Sequence, residues 1–495
     1  MKGLRKGLQR GPGLAHASLL AAGALGAALL SPDPAAAQSG DVPTYPILGG
    51  VKEHQPGYGE IENFTIVGYT DLNGWDRPTE IRVSPDGKYA FMASNPPPTD
   101  GKNNGITIAD VSDPANPKVV AHINNGPTEH SQYVDVVGTT LAMNQEQLRV
   151  RDRSLRTQSA YNPGIKLYDV SDPANPKEKA YFRSDEPGEG REGVHGFWLQ
   201  DHPIAGKVAF LAASKKGYFG NILIIVDIND AANPKELARW WYPGTWLEGG
   251  EKPEQDWIFN DNGGRMGLPK ILVSLHDVTS YKNRAYLSYR DQGVITLDIT
   301  DIKAPKMISQ IKWTPPVEAN THSVGVVVPK SGDLPELLVV TDEVNRICPW
   351  GYMHILDVRS EKHPNKISTF RLPLNKFCPP DRPGRDFGVH DVDRMIKGNI
   401  LFSAWQQSGF WAIDISDPYA PKAAGHFVPP PFTRGGLDYS TADDVFVHDN
   451  GYVYATSNEP GGGLWILKYT PGVKGKVAWN ADQKSVTVTR DTASR

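Results

Sequence analysis

Short apolar stretches alternate with turns along most of the chain, and one of them recurs in a recognisable phrase. Each copy holds a run of aliphatic and β-branched residues ending in aspartate, then a turn rich in Asp, Pro and Asn, then a second apolar run. The copies begin at Gly105 (GITIADVSDPANPK), Gly164 (GIKLYDVSDPANPK), Leu223 (LIIVDINDAANPK), Gly293 (GVITLDITDIKAPK), Met353 (MHILDVRSEKHPNK) and Phe410 (FWAIDISDPYAPK). Strand-forming runs on both sides of a turn predict a β-hairpin in every copy.

The spacing of the copies predicts the architecture. Their aligned aspartates recur about every 58 residues, apart from one longer interval that holds a Trp-rich insertion, Trp240 to Trp257. A degenerate seventh copy starts at Gly463 and has Lys468 in place of the aspartate. Each unit also has two strand-like runs upstream of its phrase, which makes four strands per unit. Seven such units predict an all-β fold, a seven-bladed β-propeller with four-stranded antiparallel blades.

The two ends of the repeat array predict how it closes. The last unit lacks a fourth strand of the usual type, whereas a lone strand-like run, NFTIVGYTD from Asn63, precedes the first unit. An N-terminal strand in the last blade would remove the open edges of the array. We therefore predict a propeller over residues 62–470, an N-terminal extension over 38–61 and a C-terminal tail over 471–495.

Residues 1–37 have the composition of a secretory signal peptide. Basic residues precede an Ala/Leu-rich segment, and Ala35-Ala36-Ala37 supplies a small-residue cleavage site. Pro32, Pro34 and the shortness of the apolar run argue against the alternative of an uncleaved membrane anchor. No later stretch is apolar enough to span a bilayer, so the mature protein is expected to be periplasmic or secreted.

The repeated phrase resembles the LVIVD repeat, which occurs in a widespread group of bacterial proteins regarded as propellers. The resemblance covers about residues 62 to 470. It implies the propeller fold and leaves the function open, because propellers support binding, hydrolysis, isomerisation and redox chemistry.

Histidines recur at one position of the units. When the units are aligned on their second strands, the start of the innermost strand is occupied by Glu80, His130, His195, His276, His322, His390 and Asp443. Innermost strands line a propeller channel side by side, so one register in every blade faces the same level of the channel. The sequence therefore predicts a ring of five histidines and two carboxylates at one mouth of the channel.

Imidazole nitrogens at one level of the channel favour a bound transition metal. Three or four of them satisfy copper, iron or zinc, with copper or iron preferred here, whereas Ca²⁺ and Mg²⁺ favour oxygen. All five histidines are candidate ligands. Because repeats arise by duplication, one ancestral histidine copied into a solvated polar channel is the alternative. Most other positions differ between the units, which favours a metal or substrate site.

Several neighbours of the histidines are candidates for other roles. Glu80 and Asp443 share the ring position and are predicted to act as acid–base groups. Asp277 and Asp391 follow ring histidines and are expected on the opposite strand face, because side chains alternate along a strand. The residues predicted to bind substrate come just after second strands and are Arg290, Glu343, Trp405 and Gln406.

The two cysteines of the chain, Cys348 and Cys378, are predicted to form a disulfide. A lone pair of cysteines in an oxidising compartment is most often oxidised. Both are expected on the ring face of adjacent blades, where the bond would rigidify the rim.

The net charge and the layout of the histidine ring limit the classes of function that fit the sequence. The formal net charge of −4 offers no basic face to nucleic acid. The layout is similar to that of the selenium-binding methanethiol oxidases, which hold copper with histidines, and of the carotenoid cleavage oxygenases, which hold iron with four, although no motif of either is present. This favours a metal-dependent oxidoreductase acting on a small organic molecule. A metal-dependent hydrolase or lyase, and a non-catalytic interaction propeller, are the alternatives.

Overall fold

The computed structural model describes most of the chain between Gly59 and Arg490. The described residues are 59–75, 77–94, 104–125, 129–147, 162–186, 193–258, 270–314, 320–343, 351–372, 388–431, 440–459, 462–480 and 485–490. The expected signal peptide (1–37) and the expected disulfide between Cys348 and Cys378 lie outside them. Among the residues within these ranges, no helix is long and apolar enough to cross a bilayer.

The described strands fall into seven successive groups behind a first strand, β1 (Gly59–Thr70), and a 3₁₀ turn at Leu72–Gly74. The first group contains β2 (Pro78–Val83), β3 (Tyr89–Ser94), β4 (Gly105–Asp110) and β5 (Lys118–Asn124). The second contains β6 (Glu129–His130), β7 (Val134–Val137), β8 (Thr140–Gln147), β9 (Gly164–Asp169) and β10 (Lys177–Arg183). The third contains β11 (Val194–His202), β12 (Gly206–Ser214), β13 (Asn221–Asp227) and β14 (Lys235–Trp240).

An insertion separates the third and fourth groups and contains a short parallel pair, β15 (Trp257–Ile258) and β16 (Ile271–Leu272). The fourth group contains β17 (Asp277–Tyr281), β18 (Arg284–Ser288), β19 (Val294–Asp298) and β20 (Lys306–Ile311). The fifth contains β21 (Thr321–Val327), β22 (Leu337–Asp342), β23 (Met353–Asp357) and β24 (Asn365–Phe370). The sixth contains β25 (Met395–Ile396), β26 (Ile400–Ala404), β27 (Phe410–Asp414) and β28 (Lys422–Val428). The seventh contains β29 (Ala442–Val447), β30 (Val453–Ser457) and β31 (Leu464–Asn480), and β32 (Ser485–Arg490) follows it.

Most groups are antiparallel meanders whose strands pair in chain order, for example β2-β3-β4-β5 and β11-β12-β13-β14. In the second group β6 and β7 both pair with β8, and in the sixth group β25 pairs parallel with β21 of the fifth group. Apolar side chains fill the space between the sheets of neighbouring groups. One cluster between the third and fourth groups holds Phe210, Leu275 and Tyr289, none of them exposed. Successive four-stranded meanders that pack face to face are the blades of a propeller. The all-β propeller predicted from the repeat is confirmed.

The recurrent aspartate of the phrase shapes the turn after the third strand of a group. In all six copies its Oδ1 accepts a hydrogen bond from the backbone N–H two residues on, at 2.8–3.0 Å. The next aspartate of the first copy does the same, since Asp113 Oδ1 accepts from Ala115 N at 3.1 Å. These Asx turns give the phrase its residue pattern, because aspartate is the side chain that bonds its own backbone two residues on.

Replacing Asp414 with alanine is expected to lower the free energy of unfolding by about 1 kcal/mol. The change removes the carboxylate that accepts from the N–H of Ser416 at 2.8 Å. Chemical denaturation would measure the loss. Asp414→Asn keeps an acceptor oxygen and is the control, with a smaller loss expected. Equal losses in both variants would mean that the charge, and not the hydrogen bond, stabilises the turn.

β1 completes the seventh group as its fourth strand. It pairs antiparallel with β31 from Phe64 opposite Tyr469 to Thr70 opposite Leu464, which confirms the predicted closure by an N-terminal strand. The start of β1 also pairs with β28 of the sixth group. β31 continues past residue 470 and pairs with β32, so the first part of the segment expected to be a tail extends the sheet.

Contacts between the seventh group and the first close the array into a ring. Asp444 Oδ2 accepts a hydrogen bond from Ile81 N at 3.0 Å, and Thr456 Oγ1 donates to the carbonyl of Thr79 at 2.5 Å. Elsewhere, isolated bridges join the second strand of one group to the start of the next inner strand, as between Ser94 and Ser131. The first strand of each group therefore faces a common central channel.

Candidate metal centre

The five histidines lie at the start of successive inner strands, where the alignment places them. His130 is in β6, His195 in β11 and His322 in β21, while His276 and His390 come shortly before β17 and β25. Neighbouring ring centroids are 4.4 Å apart for His195 and His276, 4.1 Å for His276 and His322, and 4.3 Å for His322 and His390. Four of the five imidazoles therefore form a continuous arc.

A β-bulge lies at the ring position of four inner strands. In β11 the pair His195–Gly196 faces one residue of β12, and in β21 the pair His322–Ser323 faces one residue of β22. β2 and β29 have the same irregularity at Thr79–Glu80 and Asp443–Asp444. A bulge interrupts the alternation of side chains along a strand and changes the direction in which they point. The channel consequently has two polar layers, the histidine ring and a layer one residue further along the strands.

Each imidazole of the arc has an oxygen atom beside its Nδ1 nitrogen. Three of these atoms are hydrogen-bond acceptors: Glu146 Oε1 for His195 (3.0 Å), the His322 carbonyl for His276 (3.0 Å) and the Asp443 carbonyl for His390 (2.8 Å). The fourth, Asp391 Oδ1, lies 3.4 Å from His322 Nδ1 without a hydrogen bond. An acceptor at this place holds the proton on Nδ1 and leaves a lone pair on Nε2. Histidines that bind metals show this arrangement, because the outer acceptor orients the ring and makes the other nitrogen more basic.

The Nε2 atoms of His195 and His276 face each other at 2.7 Å. Burial, together with a nearby arginine and two neighbouring rings, holds the pKa of His276 well below its usual range, so this ring is neutral at neutral pH. With its Nδ1 proton donated to a carbonyl, its Nε2 has only a lone pair to offer. Whatever lies between the two nitrogens must therefore supply positive charge from a proton or a metal cation.

The tautomer of His195 follows from the charge of Glu146. Burial acts to raise the pKa of Glu146, yet the His195 and His130 rings bring it well below its usual range, so the carboxylate is ionised. An ionised carboxylate has no proton to give, so His195 Nδ1 is the donor. The Gln132 amide also lies 2.9 Å from that nitrogen, and the carboxylate decides the tautomer because its charge makes it the stronger acceptor.

Glu343 lies across the other half of the arc. Its carboxylate is 3.4 Å from His322 Nε2 and 4.0 Å from His390 Nε2. Ligand atoms of His276, His322 and Glu343 lie within 4.8 Å of one another, and so do those of His322, His390 and Asp391. Atoms that bind one ion at about 2.0–2.1 Å lie no more than about 4 Å apart. Small side-chain rotations would bring these atoms to one ion, so Glu343, predicted to bind substrate, is also a candidate ligand.

His130 stands apart from the arc. Its Nε2 is 2.9 Å from one oxygen of Glu146, whose other oxygen accepts from His195. His130 is therefore placed to hold the carboxylate that orients a ligand, and not to reach the same ion. Glu146 lies near the end of β8, outside both the ring position and the repeated phrase. The sequence alignment therefore did not single it out.

Two aspartates surround His390. Asp391 Oδ2 is 2.9 Å and Asp443 Oδ1 is 3.3 Å from its Nδ1. Burial opposes a charge on His390, but the two aspartates and Glu343 raise its pKa well above the usual range. Burial also raises the pKa of Asp443 to about 6 against the attraction of His390. Surroundings that favour a proton on this imidazole favour a metal cation for the same reason.

The second layer consists of buried carboxylates around two buried arginines. Arg82 lies 2.8 Å from Glu80, 3.1 Å from Asp444 and 3.5 Å from Asp135, and Arg394 contacts Asp277, Glu80 at 3.4 Å and Asp391 at 3.6 Å. Five carboxylates thus share two guanidinium groups.

The placement of Glu80 and Asp391 differs from the prediction. In β2 Thr79 is the first residue of the bulge, as His195 and His322 are in theirs, so Glu80 lies one residue past the ring position. It belongs to the second layer, where it pairs with arginines and not with a histidine. Asp391 was expected on the opposite strand face, but β25 begins only at Met395 and strict alternation does not apply before it. Its carboxylate therefore contacts both His322 and His390.

The remaining predicted substrate residues divide into two kinds. Arg290 lies at the mouth, where its Nη1 donates to Asn320 Oδ1 at 2.9 Å and lies 3.3 Å from Glu343. Gln406 follows β26 and bridges Ala442 at the start of the last group, but it is only 6% exposed. Trp405 does not line the mouth, because its side chain is 1% exposed and packs edge-on against Phe370 in the core between the fifth and sixth groups.

Comparison with known proteins identifies the repeat. The family model of the LVIVD repeat matches residues 81–125 and 391–428, which correspond to the first and sixth groups. The chain carries LVIVD repeats. No curated protein matches the sequence.

Solved structures that are similar to this LVIVD-repeat chain share little sequence with it. They include the structure of U3-55K (TM-score 0.49, 9% identity, 82% of this chain and 98% of that chain), the RRP9 WD40 repeats (0.49, 9%, 82% and 97%) and a hypothetical selenium-binding protein from Sulfolobus tokodaii (0.46, 12%, 89% and 90%). None of them assigns a function to this chain.

Proposed function

We propose that this protein is an exported metalloenzyme whose His195, His276, His322 and His390 hold one transition metal at the channel mouth. The observation that carries the proposal is the common arrangement of the four rings in the arc. An oxygen atom lies beside every Nδ1, as a hydrogen-bond acceptor for His195, His276 and His390 and at 3.4 Å for His322. The Nε2 atoms of His195 and His276 already lie 2.7 Å apart. Four imidazole nitrogens with a nearby carboxylate suit copper, iron or zinc better than calcium or magnesium.

The reaction that this site supports best is the oxidation of a small organic molecule, with dioxygen or another external acceptor taking the electrons. Copper or iron would supply the redox chemistry when bound. The chain itself offers Arg290 at the mouth to bind an acceptor group of the substrate. Asp443, which accepts from Asn458 and lies beside His390, is placed to take the proton released by the substrate.

The proposal also includes the location of the protein and the class of molecule that it binds. The basic, apolar and small-residue segments of residues 1–37 support a periplasmic or secreted location. The near-balanced charge and the burial of the ring residues favour a small organic molecule as partner and disfavour nucleic acid.

Metal analysis of the full chain purified after export tests the proposal. We expect about one copper or iron ion per chain, removable by chelation and restored by loading, as for a preformed site. Oxygen uptake with small thiols, phenols or alcohols would follow the metal content. A protein that carries no stoichiometric metal and cannot be loaded would contradict the metal centre.

A metal-dependent hydrolase or lyase is the second candidate, and the position of Asp443 beside the ring favours it. In such an enzyme the carboxylate would act as a base towards water or substrate. Zinc as the bound ion, with ester cleavage and no oxygen uptake, would identify this alternative.

A further inference from the structure

A second cavity opens at the end of the channel opposite to the histidines. Tyr281 and Val447, the last residues of β17 and β29, line it, whereas His276 and Asp443 lie at the beginnings of the same inner strands. Its volume is about 320 Å³. Pockets of about 300–1,000 Å³ hold small organic ligands. The arginine layer separates this cavity from the metal centre.

The walls of the second cavity are mostly apolar. Trp198, Tyr281 and Phe446 provide aromatic surface and are half-buried, which leaves them accessible at the rim. Aromatic faces attract cations through their quadrupole, and most strongly so for tryptophan. The same surface would accept the hydrocarbon part of a ligand.

Three cationic side chains also line the cavity, but each already has an anionic partner. Arg82 and Arg394 share five carboxylates of the second layer, and Lys397 is paired with Asp449. Neither arginine beneath the cavity floor is therefore left to bind an anionic ligand. A ligand without negative charge, or with a positive one, suits this cavity better than an anion does.

Asp393 also lines the cavity, and its contacts differ from those of two other inner-strand aspartates, Asp135 and Asp444. Three inner-strand aspartates accept a backbone N–H from the next inner strand: Asp135 from Leu199 at 2.7 Å, Asp444 from Ile81 at 3.0 Å, and Asp393 from Val447 at 3.4 Å. Asp135 and Asp444 are also paired with Arg82. In the part of the chain that the structure describes, Asp393 has no ion pair, although it is only 5% exposed.

We propose that the second cavity binds a small organic ammonium ion, with the ammonium group on the carboxylate of Asp393 and the hydrocarbon part against Trp198, Tyr281 and Phe446. A carboxylate and aromatic faces together are the groups that recognise organic cations. The proposal does not depend on the metal centre, because none of its residues belongs to the histidine ring.

The charges around Asp393 predict how binding depends on pH. Burial, helped by Asp444, raises the pKa of Asp393 to about 7, whereas the N–H of Val447 and the charges of Arg82 and Lys397 act to lower it. An alkylamine stays protonated well above pH 7, as lysine does with a pKa of about 10.4. Amine binding should therefore weaken as the pH falls from about 8 to 6, because Asp393 takes up a proton and loses its charge.

Calorimetric titration of the full chain with three probes of similar shape tests the proposal. The probes are 2-phenylethylamine, 2-phenylethanol and 3-phenylpropionate. We expect the amine to bind about tenfold or more tightly than the alcohol, and the carboxylate to bind most weakly. The amine advantage should disappear in Asp393→Asn while the affinity for the alcohol is unchanged.

Two control variants make the outcome decisive. Lys397→Met alters another lining residue and should leave the amine affinity unchanged or increase it. His276→Ala removes a ring nitrogen, so an amine affinity lost in that variant would place the probe on the metal and overturn the proposal. Tighter binding of the carboxylate, an unaffected Asp393→Asn, or no binding of any probe would also overturn it. Should Asp393→Asn fail to fold, a flat pH profile of the wild-type amine affinity would do so.

Discussion

Replacing His276 with alanine is expected to abolish stoichiometric metal binding. This imidazole is at the centre of the arc, 3% exposed, and its Nε2 lies 2.7 Å from that of His195. Loss of a residue that hydrogen-bonds a metal ligand typically weakens metal binding by about 10–100-fold. Loss of a ligand itself, from a site with few donors, should weaken metal binding more. Metal content after chelation and reloading, with an affinity titration, would measure the effect.

His130→Ala is the matched control for this variant. It removes a ring histidine that contacts Glu146 and does not belong to the arc. We expect the metal to be retained, because the carboxylate still accepts from His195. Thermal unfolding of both variants would show that any loss of metal is not a loss of fold. Equal metal loss in the two variants, or none in His276→Ala, would contradict the proposed ligand set.

Replacing Arg394 with leucine is expected to destabilise the protein by about 3–5 kcal/mol, the range found when one partner of a buried ion pair is removed. Arg394 is 5% exposed and contacts Asp277, Glu80 and Asp391. Its removal leaves the buried carboxylates of Asp277 and Asp391 without an arginine and leaves Glu80 with Arg82 alone. Chemical denaturation at neutral pH would measure the loss.

The pH dependence of the Arg394→Leu variant gives a second readout. Without the arginine, the pKa values of its carboxylate partners rise further in the folded state than in the unfolded one. The folded state then binds more protons, so the variant should regain stability as the pH falls from about 8 to 5. Lys397→Met, an exposed change three residues away, should alter stability by less than about 1 kcal/mol. A comparable loss in both variants, or no recovery at low pH, would exclude the buried charge as the cause.

The fold and the histidine ring could be predicted because both follow from periodicity. The repeated phrase encodes an Asx turn in each of its six full copies, as Asp169 does by accepting from Ser171 N, and its spacing sets the register of the inner strands. A shared register then brings His195, His276 and His322 to one level. Neither step needs knowledge of a side-chain contact.

The second layer could not be predicted from the sequence pattern. Aligning the units on their second strands assigns Glu80 to the ring, and alternation assigns Asp391 to the opposite face. In the structure the first residue of the bulge in β2 is Thr79, which leaves Glu80 one residue past the ring, and Asp391 lies in an irregular segment before β25. A bulge depends on how two strands pair, which one strand's sequence does not reveal. Arg394 was missed because it lies outside the aligned ring position. Glu146 bridges Gly193 as Arg290 bridges Thr321, but it was missed because the residue type at this position differs between the units. Trp405 was misplaced because a residue just past a strand can turn into the core as readily as towards the mouth.

The pairing of β1 with β31 also determines when, during synthesis of the chain, the fold can be completed. Thr65 pairs with Lys468, so the first strand made must wait for about 400 further residues before its partner exists. Joining such distant segments is slow, and an unpaired strand edge is prone to associate with other chains in the meantime. Because the four arc histidines come from four different groups, their final spacing depends on a closed ring. Loading of a metal should therefore follow completion and folding of the entire chain. A truncated chain should keep an unpaired strand edge and should bind no metal.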